Sequence, residues 1–276
     1  MTMASEAAAA MMVLRLRRIY AMELRYWYLL RRSWPRLVDL VYWPTIQMLL
    51  WGFINSFLAT NSSWVAQAGG VLIAAVLLWD VLFRSQIGMA LSFLEEMWSR
   101  NLGHLFVSPL TPGEWVVSMM LVSLMRTVVG VLPAALLAMP VFGYSVFDLG
   151  LPLLAFFINL MVMGWWLGLI ATGLILRWGL GAENLAWMAV FILAPVSAVY
   201  YPVSVLPPLL QGVAWLLPSS HVFEGMRAVQ FHHTFPLGDF ALAVGLNLVY
   251  LAGAAALFLR LFHQAQQRGA LLVTGE

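Results

Sequence analysis

The sequence contains no cysteine and no lysine. Without cysteine there is no disulfide, no thiolate metal site and no cysteine nucleophile. The missing lysine excludes more. A P-loop holds the terminal phosphates of ATP with the lysine of its Gly-Lys-Ser/Thr, so any ATP-driven activity needs another chain. Charge is scarce as well. Only 9% of the 276 residues are charged and 63% are hydrophobic, whereas a soluble domain carries about 25% charged residues. Mean hydropathy is +0.89. These values define an all-α integral membrane protein.

What is present is a series of six apolar segments, near 37–60, 70–93, 113–142, 150–176, 184–203 and 238–262. Each can cross roughly 30 Å of hydrocarbon, for which about 20 helical residues suffice. Pro133 and Pro140 predict that the third kinks or ends early. Gly164, Gly168 and Thr172 give the fourth a stripe of small residues that allows close helix contact. Residues 1–11 are expected to be disordered, and 263–276 to form a C-terminal tail.

Between them, residues 12–36 carry arginines throughout, unlike a signal peptide, whose arginines precede an apolar core. On a helical wheel Arg15, Arg17, Arg18, Arg25 and Arg32 share one half; Val13, Leu16, Ile19, Tyr20, Leu24, Trp27 and Leu30 share the other. The segment reads as an amphipathic interfacial helix with its arginines toward anionic headgroups. Glu23 falls on the apolar side, where it either snorkels or meets a partner. Orientation follows from the arginines. Seven lie at or before Arg36, and Arg100, Arg177, Arg260 and Arg268 fall on the same side if six spans alternate. The opposite loops hold only Arg227. Both termini are expected to be cytoplasmic.

Two polar stretches interrupt the apolar pattern. The first runs from Glu95 to Glu114 and includes Glu96, Trp98, Arg100, Asn101 and His104. Its charges and prolines place it outside the hydrocarbon. Residues 94–107 are expected to form a short helix with Leu94, Met97, Leu102, Leu105 and Phe106 on one face. Ser108-Pro-Leu-Thr-Pro-Gly-Glu114 then breaks it and opens the next span. Such an element suits docking against another protein; the plainer alternative is a polar loop. The second stretch, 204–237, is too apolar for a free loop and too short to span. It reads as two short helices dipping into the outer leaflet, the second capped by Pro218-Ser-Ser220 and carrying His221, Glu224 and Arg227 on one face.

Candidate chemistry divides along similar lines. Asp80 and Arg84 stand four apart in the second span and are expected to pair, and Arg126 lies in the third. A structural ion pair is the preferred reading over a transport path. His221, Glu224 and Arg227, with His232 and His233 nearby, match no metal motif. The set is read as a hydrogen-bonded cluster that pins the outer helices. Of the thirteen tryptophans, Trp27, Trp34, Trp43, Trp98 and Trp178 fit an inner aromatic belt and Trp64 an outer one. Trp51, Trp79, Trp165, Trp166 and Trp187 lie deeper. Packing is preferred there over stacking of sugars or lipids.

In this arrangement the chain resembles the ABC-2 type permeases, the membrane subunits of ABC exporters. The resemblance rests on the amphipathic N-terminal helix, the six spans, the loop Leu105-Phe-Val-Ser-Pro-Leu-Thr-Pro-Gly-Glu114, and the outer segments Tyr201-Pro-Val-Ser-Val-Leu-Pro207 and Leu217-Pro-Ser-Ser-His-Val-Phe-Glu-Gly-Met-Arg227. It implies a transmembrane domain over 37–262, with a coupling helix at about 94–107 (Glu95, Glu96, Trp98, Arg100, Asn101 and His104) and re-entrant outer helices at about 204–236. It also implies a connecting helix over 12–36 with Arg18, Glu23 and Arg25, and a second contact at Arg177–Asn184.

By the same implication the chain is non-catalytic and binds no cofactor or metal of its own. ATP and magnesium would be bound by two copies of a partner ATPase. The other partners would be a second copy of the permease or a paralogue, and membrane lipids, with no nucleic acid. A substrate path would run between permeases, lined by the first, second and fifth spans. The implied location is the bacterial inner membrane, and the implied cargo a glycan, a lipid-linked glycan or a hydrophobic small molecule. The rival readings are an intramembrane enzyme acting on lipids through His221, Glu224 and Arg227, and a secondary transporter coupled through Asp80.

Overall fold

The computed structural model describes residues 2–61 and 70–268, in which all regular structure is helical. The helices are α1 (Thr2–Arg31), α2 (Trp34–Asn61), α3 (Val71–Trp98), α4 (Leu102–Val107), α5 (Pro112–Phe142), α6 (Leu151–Trp178), α7 (Asn184–Leu193), α8 (Pro208–Trp215), α9 (Pro218–His232) and α10 (Leu237–Gln267). Trp64, most of the loop 61–69 and the tail beyond 268 lie outside the described residues.

Five of these helices, α2, α3, α5, α6 and α10, are long and apolar enough to cross a membrane. The segment 184–203, expected as a sixth continuous span, is broken. Helix α7 has ten residues and passes into a 3-10 turn at Ala194–Val196. Pro195 offers no amide hydrogen to prolong it, and Ala198 turns the backbone to φ +53°. Helix α7 still runs antiparallel to α3. Glu183 meets Trp98, the Ala186 carbonyl accepts from Gln86 Nε2 at 2.9 Å, and Phe191 packs on Phe83. Helix α9 continues where α7 stops. Ser219 and Ser220 bond to Ser197 Oγ and the Val196 carbonyl, and at the far end Gln230 donates to the Tyr144 hydroxyl just past α5. The serines expected to cap α9 make these inter-element bonds instead. Its N-cap is Leu217, which carries no side-chain cap.

Two further expectations are corrected. Residues 2–11 are helical, consistent with the high helix propensity of their alanines. Helix α5 does not end early: it runs to Phe142 with Pro133 and Pro140 inside it. Prolines are tolerated in membrane helices where neighbouring helices and local backbone adjustments can re-satisfy the freed carbonyls.

Helix α3 is the centre of the bundle. It is apolar around most of its circumference, as a fully surrounded helix is. Its most apolar stretch is 94% buried, against 17% for α2 and 22% for α10. Helix α6 packs closest to it, through Gly164 and Gly168. A Cβ at Gly164 would sit 2.5 Å from Ser85 Cβ and 2.8 Å from Gln86 N; one at Gly168 would sit 2.7 Å from Met89 Cβ. That approach lets Ser85 Oγ donate to the Met161 carbonyl at 2.8 Å. In lipid, helix association rests on such close packing and hydrogen bonds more than on apolar burial.

Candidate functional site

The polar groups concentrate where α1 lies across the ends of α3 and α5. Helix α3 continues to Trp98, so Glu95 and Glu96 belong to its last turn and not to a separate coupling helix beginning near 94. A Schellman turn ends it. Asn101 N–H donates to the Glu96 carbonyl and Arg100 N–H to the Met97 carbonyl. Arg100 holds the left-handed position at φ +55°, where glycine is usual. The separate short helix is α4 alone, with Leu102 and Leu105 buried beneath it and His104 exposed. The side chain of Phe106 lies outside what the structure describes. Thr111 then opens α5 with a capping box. Its hydroxyl accepts from Glu114 N–H, Glu114 Oε2 accepts from Thr111 N–H at 2.9 Å, and Pro112 takes the first helical position.

Three carboxylates at this end are gripped by arginines. Glu96, 1% exposed, accepts from Arg25 Nη2 at 2.9 Å, from the Tyr26 hydroxyl at 2.8 Å and from Asn101 Nδ2 at 2.7 Å. Arg25 Nη1 lies 2.7 Å from its other oxygen, close enough for charge pairing though outside hydrogen-bond geometry. Burial, and then the Glu96 charge, raise the Tyr26 phenol well above its ordinary pKa, which keeps it a donor. Glu114 takes Arg18 Nη2 at 2.6 Å, with Arg15 at 3.8 Å. Glu95 is shared between Arg126 at 2.9 Å and Arg36 at 3.2 Å. Arg18 and Arg25 therefore turn toward the protein rather than toward lipid headgroups, and Met22, Tyr26 and Leu30 form the buried seam between them. Glu23 is partly buried, with Oε1 unbonded, and burial pushes its pKa up to about 7.

Of the residues expected to contact a partner, Trp98, Arg100 and His104 face outward, while Glu95, Glu96 and Asn101 hold the chain together. Trp98 Nε1 donates to Glu183 Oε2 at 3.3 Å, which joins this surface to the turn after α6. Tyr26, Arg36 and Glu114 were not singled out from the sequence. The Thr-x-x-Glu spacing marks Glu114 as a capping residue, but nothing local to the sequence connects it to Arg18.

The intramembrane charges are arranged differently from expectation. Asp80 and Arg84, both buried, form no ion pair. Arg84 lies across Gly130 of α5 instead, beside the Leu40 carbonyl; a Cβ at Gly130 would come within 3.0 Å of its Nε. Arg126 belongs to the Glu95 pair. A further polar group was missed. Trp166 Nε1 donates to Asn247 Oδ1 at 2.9 Å, and Asn247 Nδ2 donates to Asn159 Oδ1 at 2.7 Å, tying α6 to α10. Two asparagines inside long apolar runs were the available signal.

At the other end His221 Nε2 lies 3.0 Å from the Trp215 carbonyl and Nδ1 lies 3.7 Å from Asp239. Glu224 accepts from Val203 N–H at 2.6 Å and pairs with Arg227 at 3.2 Å. The bonds run from α9 to α8 and to the 3-10 turn Val203–Val205, and the His221–Asp239 approach adds a longer contact to α10. The three side chains are thus engaged with the scaffold and do not converge on an open site. Among the described residues no group of three His, Cys, Asp or Glu side chains is placed to hold a metal.

No curated protein matches the sequence. The sequence profile of the ABC-2 type transporters matches residues 24–231, from the last turns of α1 to the end of α9. That span contains the arginine-gripped ends of α3 and α5 and four of the five long apolar helices. The chain therefore belongs to the ABC-2 type transporter family and is a multi-pass membrane permease subunit of an ABC transporter.

Proposed function

We propose that this permease is the membrane half of an ATP-driven exporter, moved by a separate ATPase that docks on α1, α4 and the turn at 178–183. The observation that carries the reading is the linkage of these parts to α3. Helix α4 follows α3 through a hydrogen-bonded turn, Glu96 binds α1 and Asn101 together, and Trp98 reaches Glu183. A displacement of the exposed surface is thereby passed to the most buried helix of the bundle. The arginine-rich side is cytoplasmic in this reading, and α7 with α9 makes the remaining crossing.

A second copy of the chain, or a paralogue, would cover the exposed aromatic and aliphatic face of α2 and α7, where Trp43, Phe53, Phe57, Trp187 and Phe191 stand out. That face favours an amphiphilic cargo, either a lipid-linked glycan or a hydrophobic small molecule. Helix α3 can line the path only near its cytoplasmic end, because the rest is enclosed by its own chain.

The test is affinity purification of the tagged chain from its native membrane, followed by reconstitution. A co-eluting P-loop ATPase in stoichiometric amount, whose hydrolysis is stimulated by cargo, is the expected result. Purification of the chain alone, with no nucleotide-dependent transport in vesicles, would sink the proposal.

A further inference from the structure

At the arginine-rich end, between α2, α3 and α5, lies a cavity of about 350 Å³. Leu30, Leu40 and Leu91 form its apolar wall and the half-exposed Trp98 stands beside them. Its polar lining is Arg36, Asp39, Glu95 and Arg126. Arg126 is only 5% exposed; its Nη2 bonds Glu95, while its Nη1 has no hydrogen-bond partner. Asp39 is exposed and forms no direct ion pair among the described residues, its charge acting on Arg84 only at longer range. A buried guanidinium N–H without a partner is costly, more so than a neutral donor. One unsatisfied donor of a cation and one unpaired carboxylate thus line the same cavity.

The charges select the ligand. A simple anion would meet Arg126 and Arg36 but also Glu95 and Asp39. A simple cation would face both arginines. A group carrying a phosphate and a primary ammonium a few ångströms apart satisfies both sets, since guanidinium forks match phosphate oxygens and carboxylates accept from an ammonium. The apolar wall and the position at the ends of membrane-length helices add an acyl tail. We infer that this cavity binds the headgroup of a zwitterionic phospholipid of the phosphoethanolamine class from the adjacent leaflet. The inference rests on the permease reading only for the placement of the membrane; binding is a property of this chain alone.

Native mass spectrometry of the purified permease, with equal amounts of phosphatidylethanolamine and phosphatidylcholine of matched acyl chains, tests it. The ethanolamine lipid should be retained about tenfold or more over the choline lipid, the ratio set by roughly one hydrogen bond to a charged group. Arg36→Gln should lower retention of both lipids severalfold. Asp39→Asn should erase the preference while leaving the choline lipid as in the wild type. Both side chains are exposed, so neither change threatens the fold as Arg126→Gln would.

Equal retention of the two lipids by the wild type, or a preference unmoved by both substitutions, would overturn the assignment. Displacement of the lipid by millimolar soluble phosphoethanolamine would also overturn it and assign the cavity to a free phosphoamine. Co-purification of the ATPase is read separately, so loss of lipid binding with the ATPase retained counts against this site and not against the permease reading.

Discussion

Glu96 and Arg25 form a pair whose two halves should not be equally costly to remove. Glu96→Gln keeps the shape but abolishes the charge that Arg25, Tyr26 and Asn101 converge on. Breaking a buried pair costs about 3–5 kcal/mol when the remaining charge stays dry. Here the remaining charge is Arg25, whose side chain is 35% exposed and can rehydrate, so the cost falls below that range, to about 2–3 kcal/mol. Arg25→Gln leaves the opposite residue behind. Glu96, 1% exposed, would keep a full charge against two neutral donors, and the upper figure of about 4–5 kcal/mol applies.

The assay is thermal unfolding of the detergent-purified permease, followed by loss of the monodisperse peak in size-exclusion chromatography. At about 2–4 °C per kcal/mol for a chain of this size, Glu96→Gln should lower Tm by roughly 4–12 °C and Arg25→Gln by more. Limited trypsin digestion at Arg15, Arg17 and Arg18 should accelerate in both. If Glu96→Gln proved more damaging than Arg25→Gln, or neither moved Tm, the argument from exposure would be refuted. A charge reversal at 96 then belongs among the folding variants, although from the sequence alone this position looked like a free surface contact.

Gly164→Ala should reduce the yield of folded protein sharply, because the added Cβ meets the α3 backbone at Gln86 N, 2.8 Å away; normal yield and Tm would refute the close packing. Arg100→Gly relieves a left-handed residue, a conformation that costs L-residues about 1–2 kcal/mol. Tm should therefore hold or rise, while cargo-stimulated ATPase activity falls with the guanidinium gone; a drop in Tm would count against the turn. Glu23, held near 7 against an ordinary 4.5, favours the docked helix fully below pH 4.5, and that contribution is lost as pH rises through 7. Glu23→Gln should accordingly raise Tm at pH 8 and leave it unchanged at pH 4, as read in parallel melts. Asn247→Ala removes bonds to α6 worth about 1 kcal/mol in a membrane, and a Tm loss above about 10 °C would show that the network does more than join two helices.

The long helices were legible because a run of about 20 apolar residues has few other solutions. Five of the six expected segments became helices of membrane length. The exception, 184–203, is also apolar, but its helix stops before Pro195 and the left-handed Ala198, and Ser219 and Ser220 of α9 bond to residues 197 and 196, contacts that hydropathy cannot register. The same limit applies to the polar stretch. Its location outside the apolar runs was readable, and so was the helix break at Ser108–Thr111. The partition into inward carboxylates and outward Trp98, Arg100 and His104 was not, because it depends on Arg18, Arg25 and Arg126, which lie between 31 and 96 residues away in sequence. Asp80 and Arg84 show the converse. Spacing of four predicted a direct pair; the two charges act on each other only beyond ion-pair distance, and the Arg84 guanidinium lies over Gly130.

This distribution of contacts limits how the proposed ATPase stroke can travel. Helix α2 is mostly exposed and carries the aromatic face suited to a second copy, whereas α3 is enclosed and holds α6 across two glycines without room for a methyl group. Interfaces packed that closely do not deform gradually. A push on α4 must therefore carry α3 and α6 together, and α10 with them through Trp166, Asn247 and Asn159. Helix α2 is held as closely to α5, where a Cβ at Gly130 would come within 2.7 Å of the Leu40 carbonyl, so the boundary left for the proposed motion is the seam between α2 and α3. It is closed at the arginine-rich end by the Arg36–Glu95 pair, and farther along by the stacking of Trp51 on Tyr200 at 4.2 Å. Movement there would open the cavity lined by Arg36 and Arg126, so the site inferred to hold a lipid headgroup lies on the seam where the proposed motion would be greatest.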